Sequence, residues 1–261
     1  MTAVDVQRLV EEFFRIAKLP HDPFTKEFLN RCQSHTIKLH GKFYKYYQSG
    51  SGPTVLHVHG IRSNLGSMAA IAENLVEQGY QVVLFDAPAH GEALGTSTDP
   101  IEVRQVIAGI AERFAELYAV IGHSLGGLWA LSAWSIGLRA KTMVTVSTPS
   151  TMRFLVDKFA EFYHLDGGQT EELAGQIEDR LGADVWTEFS PSQAVQAIEV
   201  PGLIIHGAQD DYVSPGNAEE LHSSWRRSRV ELIDGAGHFD ILASPKVGTI
   251  VSAHLQQVQG D

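Results

Sequence analysis

At 261 residues, the chain allows one large α/β or all-β domain, or a core domain carrying an insertion. Hydrophobic residues make up 44% and charged residues 20%, a globular balance that excludes disorder, collagen and coiled coil. The net charge of −11 speaks against a nucleic-acid partner, which needs a basic stripe.

From the N-terminus, residues 1–35 read as a polar, amphipathic helical leader interrupted by Pro20 and Pro23 and expected to pack outside the core. Asp5, Glu11 and Glu12 break up its apolar residues, so it is no secretory signal. No apolar run approaches the ~18 residues of a membrane span. The single cysteine, Cys32, cannot form an internal disulfide and fits a reducing compartment. A cytoplasmic location is expected.

Segments 36–39 and 43–47, separated by His40-Gly41, predict an antiparallel pair. Short Val/Ile-rich runs then follow at 54–58, 81–85, 118–121, 141–146, 203–206 and 229–233. Several lack polar alternation, as strands buried on both faces do. Helical patterns at 69–78, 100–117, 128–136, 217–225 and 245–258 separate them. Gly79 offers a left-handed cap, and Asp99 an N-cap with Pro100 at the first helical position. The alternation predicts an α/β fold with a doubly wound, mostly parallel sheet, mixed by its opening pair. Between residues 146 and 203 the alternation breaks. Helical spacing at 151–164 and 170–181, the latter with Thr170 as N-cap, predicts a small helical insertion.

Gly122-His123-Ser124-Leu125-Gly126-Gly127 follows the 118–121 strand and opens a helix. Strand, sharp turn and helix around G-x-S-x-G is the setting of a nucleophile elbow. A dinucleotide turn would need G-x-G-x-x-G near the first strand, and the chain has none there. A serine hydroxyl becomes nucleophilic only when a base takes its proton and a carboxylate orients that base. In this setting the chain order is serine, acid, histidine. Asp210 and Asp211 follow the 203–206 strand, and His238 follows the next one. Backbone N–H groups must hold the oxyanion. Leu125, just after the serine, is one expected donor; Ile61, just after Gly60 in the loop beyond residue 58, is the other.

These pieces resemble the α/β-hydrolase family. The resemblance rests on His59-Gly60-Ile61, on Phe85-Asp-Ala-Pro-Ala-His-Gly91, on residues 122–127, on Ile205-His-Gly-Ala-Gln-Asp210 through Val213, and on Gly237-His238. It covers about residue 35 to the C-terminus, apart from 149–190. It is closest to short-capped bacterial α/β-fold hydrolases of unassigned substrate. It implies a Ser124–Asp210–His238 triad, with Asp210 preferred to Asp211, and a cap at 149–190 inserted between core segments 36–148 and 191–261. Ala89 stands where many members have glycine. Family members that hydrolyse epoxides or remove halide carry Asp as nucleophile, and Ser124 counts against both.

The implied function is a serine carboxylesterase or thioesterase acting on small to medium apolar acyl groups. Two other readings share these motifs: a hydrolase-like ligand receptor, or other chemistry on the same triad (C–C or amide hydrolysis, cofactor-free peroxidase activity). No cofactor or metal is expected. His57 and His59 share a strand face, but a buried strand favours core histidines. Phe154, Phe159 and Phe162, with His59 and His123, are the candidate pocket residues. Segment 149–190 holds nine acids (Asp157, Glu161, Asp166, Glu171, Glu172, Glu178, Asp179, Asp184, Glu188) and three bases (Arg153, Lys158, Arg180). If those charges face the entrance they repel anions, so a neutral small-molecule ester is the expected substrate.

Overall fold

The Val/Ile-rich runs pair into one eight-stranded sheet in a computed structural model that describes residues 6–260. The first five residues of the leader, Asp5 among them, lie outside the described residues. In chain order the strands are β1 (Gln33–Leu39), β2 (Lys42–Ser49), β3 (Thr54–Val58), β4 (Gln81–Phe85), β5 (Leu117–His123), β6 (Ala140–Val146), β7 (Gly202–Gly207) and β8 (Ser228–Ile233). Their spatial order is β1-β2-β4-β3-β5-β6-β7-β8. β2 pairs antiparallel with β1 and with β4, and every later pair is parallel. The expected mixed, mostly parallel α/β sheet is what forms.

Eleven α-helices accompany the sheet among the described residues. They are α1 (Val6–Phe14), α2 (Pro23–Asn30), α3 (Ala69–Glu77), α4 (Pro100–Ala111), α5 (Leu125–Ala133), α6 (Arg153–Tyr163), α7 (Gly167–Leu181), α8 (Val185–Glu188), α9 (Pro191–Ala194), α10 (Gly216–Ser224) and α11 (Pro245–Gly260). None of them is long and apolar enough to cross a membrane. The central strands feed two cores, as period-two side chains on a covered sheet must. Leu56, Val58 and Val120 join α4, α5 and α10 on one face, while Val55, Ala119 and Ile121 join α3 and α11 on the other. The chain leaves β3 toward β4 on one side, and β5 lies on the other. That reversal opens a crevice beyond the carboxyl ends of β3 and β5, where open α/β sheets bind ligands.

Local signals set most boundaries. His40 and Gly41 take φ of 48° and 81° and close the β1–β2 hairpin, and Asp99 caps α4 through Glu102 N–H. Four expectations are corrected. β1 begins at Gln33 rather than residue 36, and α4 ends at Ala111 because Leu117 is claimed by pairing with Ala140 on β6. α7 begins at Gly167, capped not by Thr170 but by Asp166, whose carboxylate and Gln169 form a reciprocal capping box. Gly167 and Gly168 mask that start, since glycine disfavours helix interiors. Within the described part of the leader, α1 does not stay outside the core. Val6, Val10, Phe13 and Phe14 are buried in the α4–α5 core, and the Phe13 ring meets Phe159 of α6 at 5.3 Å.

Buried histidines give the fold an acid sensitivity. Burial pushes His57 and His123 down to about 3 and His90 and His254 down to about 4. Each stays neutral in the folded chain below pH 6.5, where the unfolded chain binds a proton. Stability is therefore full above about pH 6.5 and falls toward pH 4, by up to about 1.4 kcal/mol per pH unit per histidine. His21 acts oppositely. Its hydrogen bond to Asp86 raises it against burial, so its contribution is full below pH 6.5 and fades as pH rises. Burial also lowers His59 and His206, so six against one sets the sign. The urea midpoint should be clearly lower at pH 5 than at pH 7; equal midpoints would contradict this.

Candidate active site

β5 ends at His123, and Ser124 takes φ 52° and ψ −126° before α5 starts at Leu125. Non-glycine residues rarely occupy this region, and strain there marks functional turns. The turn is held by Ser124 N–H donating to Val146 carbonyl at 2.8 Å. Both flanking glycines are sterically required. A Cβ on Gly122 would lie 2.5 Å from Gly127 Cα, and one on Gly126 would lie 2.2 Å from Val58 carbonyl oxygen. The G-x-S-x-G spacing is thus what lets β5, β3 and α5 meet.

The acid and the base arrive on loops after β7 and β8. His238 Nδ1 donates to Asp210 Oδ2 at 2.8 Å, and Ser124 Oγ lies 3.0 Å from His238 Nε2. All three are buried, at 5%, 4% and 4% exposure for Ser124, Asp210 and His238. Asp210 Oδ1 accepts the Tyr212 and Val213 N–H groups at 3.0 and 2.8 Å. Burial alone would raise this carboxyl, but the His238 bond, reinforced by its charge and the Val213 N–H, holds it below the ordinary range. Asp211 is exposed. A hydroxyl, imidazole and carboxylate linked in this order can move a proton off the serine and stabilise the imidazolium.

Leu125 opens α5, so its N–H is among those a helix start leaves without an intrahelical partner. Ile61 N–H makes no main-chain hydrogen bond among the described residues. The Gly60 backbone presses on the elbow: a Cβ there would stand 3.0 Å from Ser124 Cβ.

The expected pocket residues divide. Phe159 and Phe162 line a cavity of about 130 Å³ together with Phe13, Ile61, Arg62, Leu155, Lys158 and Tyr212. A smaller void of about 20 Å³ shares Phe13, Ile61 and Leu155 and reaches Trp129 and Met152. Phe154 lines neither cavity and stands edge-on to Tyr212 at 5.9 Å. His59 and His123 stand on the wall of neither of these two cavities. His59 donates to Gly60 carbonyl and accepts Ala87 N–H, tying the loops after β3 and β4 together. His123 Nε2 donates to His238 carbonyl at 2.9 Å and so holds the base's own backbone. His206, not anticipated from sequence, does the same for the acid loop by donating to Val213 carbonyl at 2.8 Å. Tyr212 and Phe13 were also missed. The Tyr212 ring lies 5.0 Å from the His238 ring, yet in sequence it is one more loop residue. No triad side chain lines either cavity; what ties the first to the site is Ile61 and Tyr212, and a larger hollow of about 300 Å³ at Tyr44, Asp86 and Leu94 has neither residue on its wall.

Strand order, elbow and loop-borne acid and base together define an enzyme of the α/β-hydrolase class. Residues 55–248 match the model of the Alpha/beta hydrolase family, and the chain belongs to that family. It is 26% identical, over 76% of its length and 93% of the relative's, to a pimeloyl-[acyl-carrier protein] methyl ester esterase of Nitrosomonas europaea. Among solved structures it is similar to a bacterial membrane phospholipase A (TM-score 0.71, 17% identity, 98% of this chain and 93% of that one). It is also similar to a thermophilic esterase from Thermogutta terrifontis (TM-score 0.65, 18% identity, 87% and 99%).

Proposed function

We propose that the protein is a serine hydrolase that cleaves esters or thioesters of small to medium apolar acyl groups. The observation that carries this is the closed relay from Ser124 Oγ to His238 to Asp210, at 3.0 and 2.8 Å, on a strained elbow. Ser124 attacks the carbonyl while His238 takes its proton. Asp210 fixes the imidazole tautomer and stabilises the imidazolium. The N–H groups of Ile61 and Leu125 hold the oxyanion. His238 then protonates the leaving group and activates the water that releases the acyl-enzyme. The acyl chain lies along Phe13, Leu155 and Phe159, an apolar wall made by α1 and α6 together. Helices α6 and α7 act as the cap, with α1 as their inner support. The esterase activity named for the Nitrosomonas relative agrees with this reading.

The test is a turnover number on a panel of acyl esters and thioesters of increasing chain length. Multiple turnovers with a kcat/KM optimum at short to medium apolar acyl groups are expected. Binding without turnover across the whole panel would contradict the proposal and leave a ligand receptor in its place.

A further inference from the structure

The cavity beside the triad inverts the charge pattern around it. Acids outnumber bases 31 to 20 over the chain. Yet the charged side chains on the cavity wall are Arg62 and Lys158, with no carboxylate among the lining residues. None of the nine acids of segment 149–190 lines the cavity, although Glu161 pairs with Lys158 at its edge, so the segment's bulk charge does not describe the wall. Two of the segment's three bases are committed away from it. Arg153 pairs with Asp157 and Glu171, and Arg180 with Glu11.

Lys158 has only Glu161, a solvent-exposed partner one helical turn on, and such surface pairs hold weakly. Its ammonium stands 5.8 Å from the Tyr212 ring centre, and that ring stands 5.0 Å from the His238 ring. One aromatic ring thus separates this cation from the triad imidazole. Arg62 directly follows Ile61, is exposed, and makes no ion pair among the described residues. Its φ of 54° lies in the left-handed region, where glycine would be relaxed and a long side chain is not.

We propose that Arg62 and Lys158 form an anion-reading rim. On this account the preferred substrate carries a carboxylate or phosphate set apart from its scissile carbonyl by an apolar stretch. The apolar stretch lies on Phe13, Leu155 and Phe159, and the anion reaches the guanidinium and ammonium together. Partial exclusion of water by the aromatic wall strengthens both attractions. The inference rests on the hydrolase reading above, and it replaces the neutral-substrate expectation drawn from the segment's total charge.

Two matched series test it by kcat/KM. One compares monomethyl with dimethyl esters of dicarboxylic acids of increasing length, placing the anion on the acyl side. The other compares acetyl esters of ω-hydroxyalkyl phosphates with those of the corresponding alkanols, placing a phosphate beyond an apolar spacer on the leaving-group side. In at least one series the anionic member should be favoured by about tenfold or more at low salt, and the preference should shrink as salt is raised. Whichever series shows it identifies the anion's side. In the Arg62→Gln/Lys158→Gln double variant the anionic-to-neutral ratio should fall toward one, and in Lys158→Glu it should fall further. The ratio cancels any change in Ser124 chemistry, which both members share. Equal kcat/KM for both members in both series, or a ratio that survives the double variant, would overturn the rim alone. Turnover of no member would overturn the hydrolase reading and the rim with it.

Discussion

Ser124→Ala should lower kcat for ester hydrolysis by roughly 10⁵- to 10⁶-fold. The size follows from what remains: oxyanion donors and binding contacts persist, but no group can form the acyl-enzyme. No other serine among the described residues stands between a strand and a helix at positive φ with an imidazole 3.0 Å from its hydroxyl. Ser147 comes nearest, with φ 47° at the end of β6, but its side chain makes no hydrogen bond to a histidine. Removing one buried hydroxyl leaves the packing intact, so the urea midpoint should hardly move. A loss of less than about a hundredfold in a folded variant would remove Ser124 from the proposed role.

Asp210→Asn should cost about 10⁴ in kcat at neutral pH. The Asp210 carboxylate is pinned twice on one oxygen, by the Tyr212 and Val213 N–H groups, so its other oxygen is aimed at His238 Nδ1. An amide held in the same place can present its NH₂ to the ring and favour the wrong tautomer. Asp211→Asn should cost less than about tenfold, because an exposed carboxylate outside the relay touches none of the reacting groups. The two kcat values, measured on folded variants, decide the assignment. A reversed ranking would make Asp211 the orienting acid.

The parts of this molecule that were legible in the sequence are those set by local geometry. Residues 122–127 could be read because the elbow's glycines are dictated by atoms of the same turn and its neighbouring strand. Asp210 and His238 could be read because strand ends in an open parallel sheet deliver their loops to one edge. What stayed hidden depends on which elements meet. Nothing in the spacing of Val6, Val10, Phe13 and Phe14 says that this face meets α6 and that Phe13 lines a cavity beside Ile61. Tyr212 becomes special only once the β8 loop brings His238 beneath it. Segment charge gives no direction for the same reason: a total counts side chains without saying where they point, and the one base of 149–190 that lines the cavity is Lys158. His123 and His206 could not be told from ordinary core histidines, since both bond to carbonyls on distant loops.

The most direct measurement is covalent labelling by a fluorophosphonate, followed by intact mass and peptide mapping. A single adduct is predicted, on the peptide containing Ser124, and it should be absent from Ser124→Ala and strongly slowed in Asp210→Asn. An adduct on any other serine, or none at saturating probe on folded protein, would contradict the account.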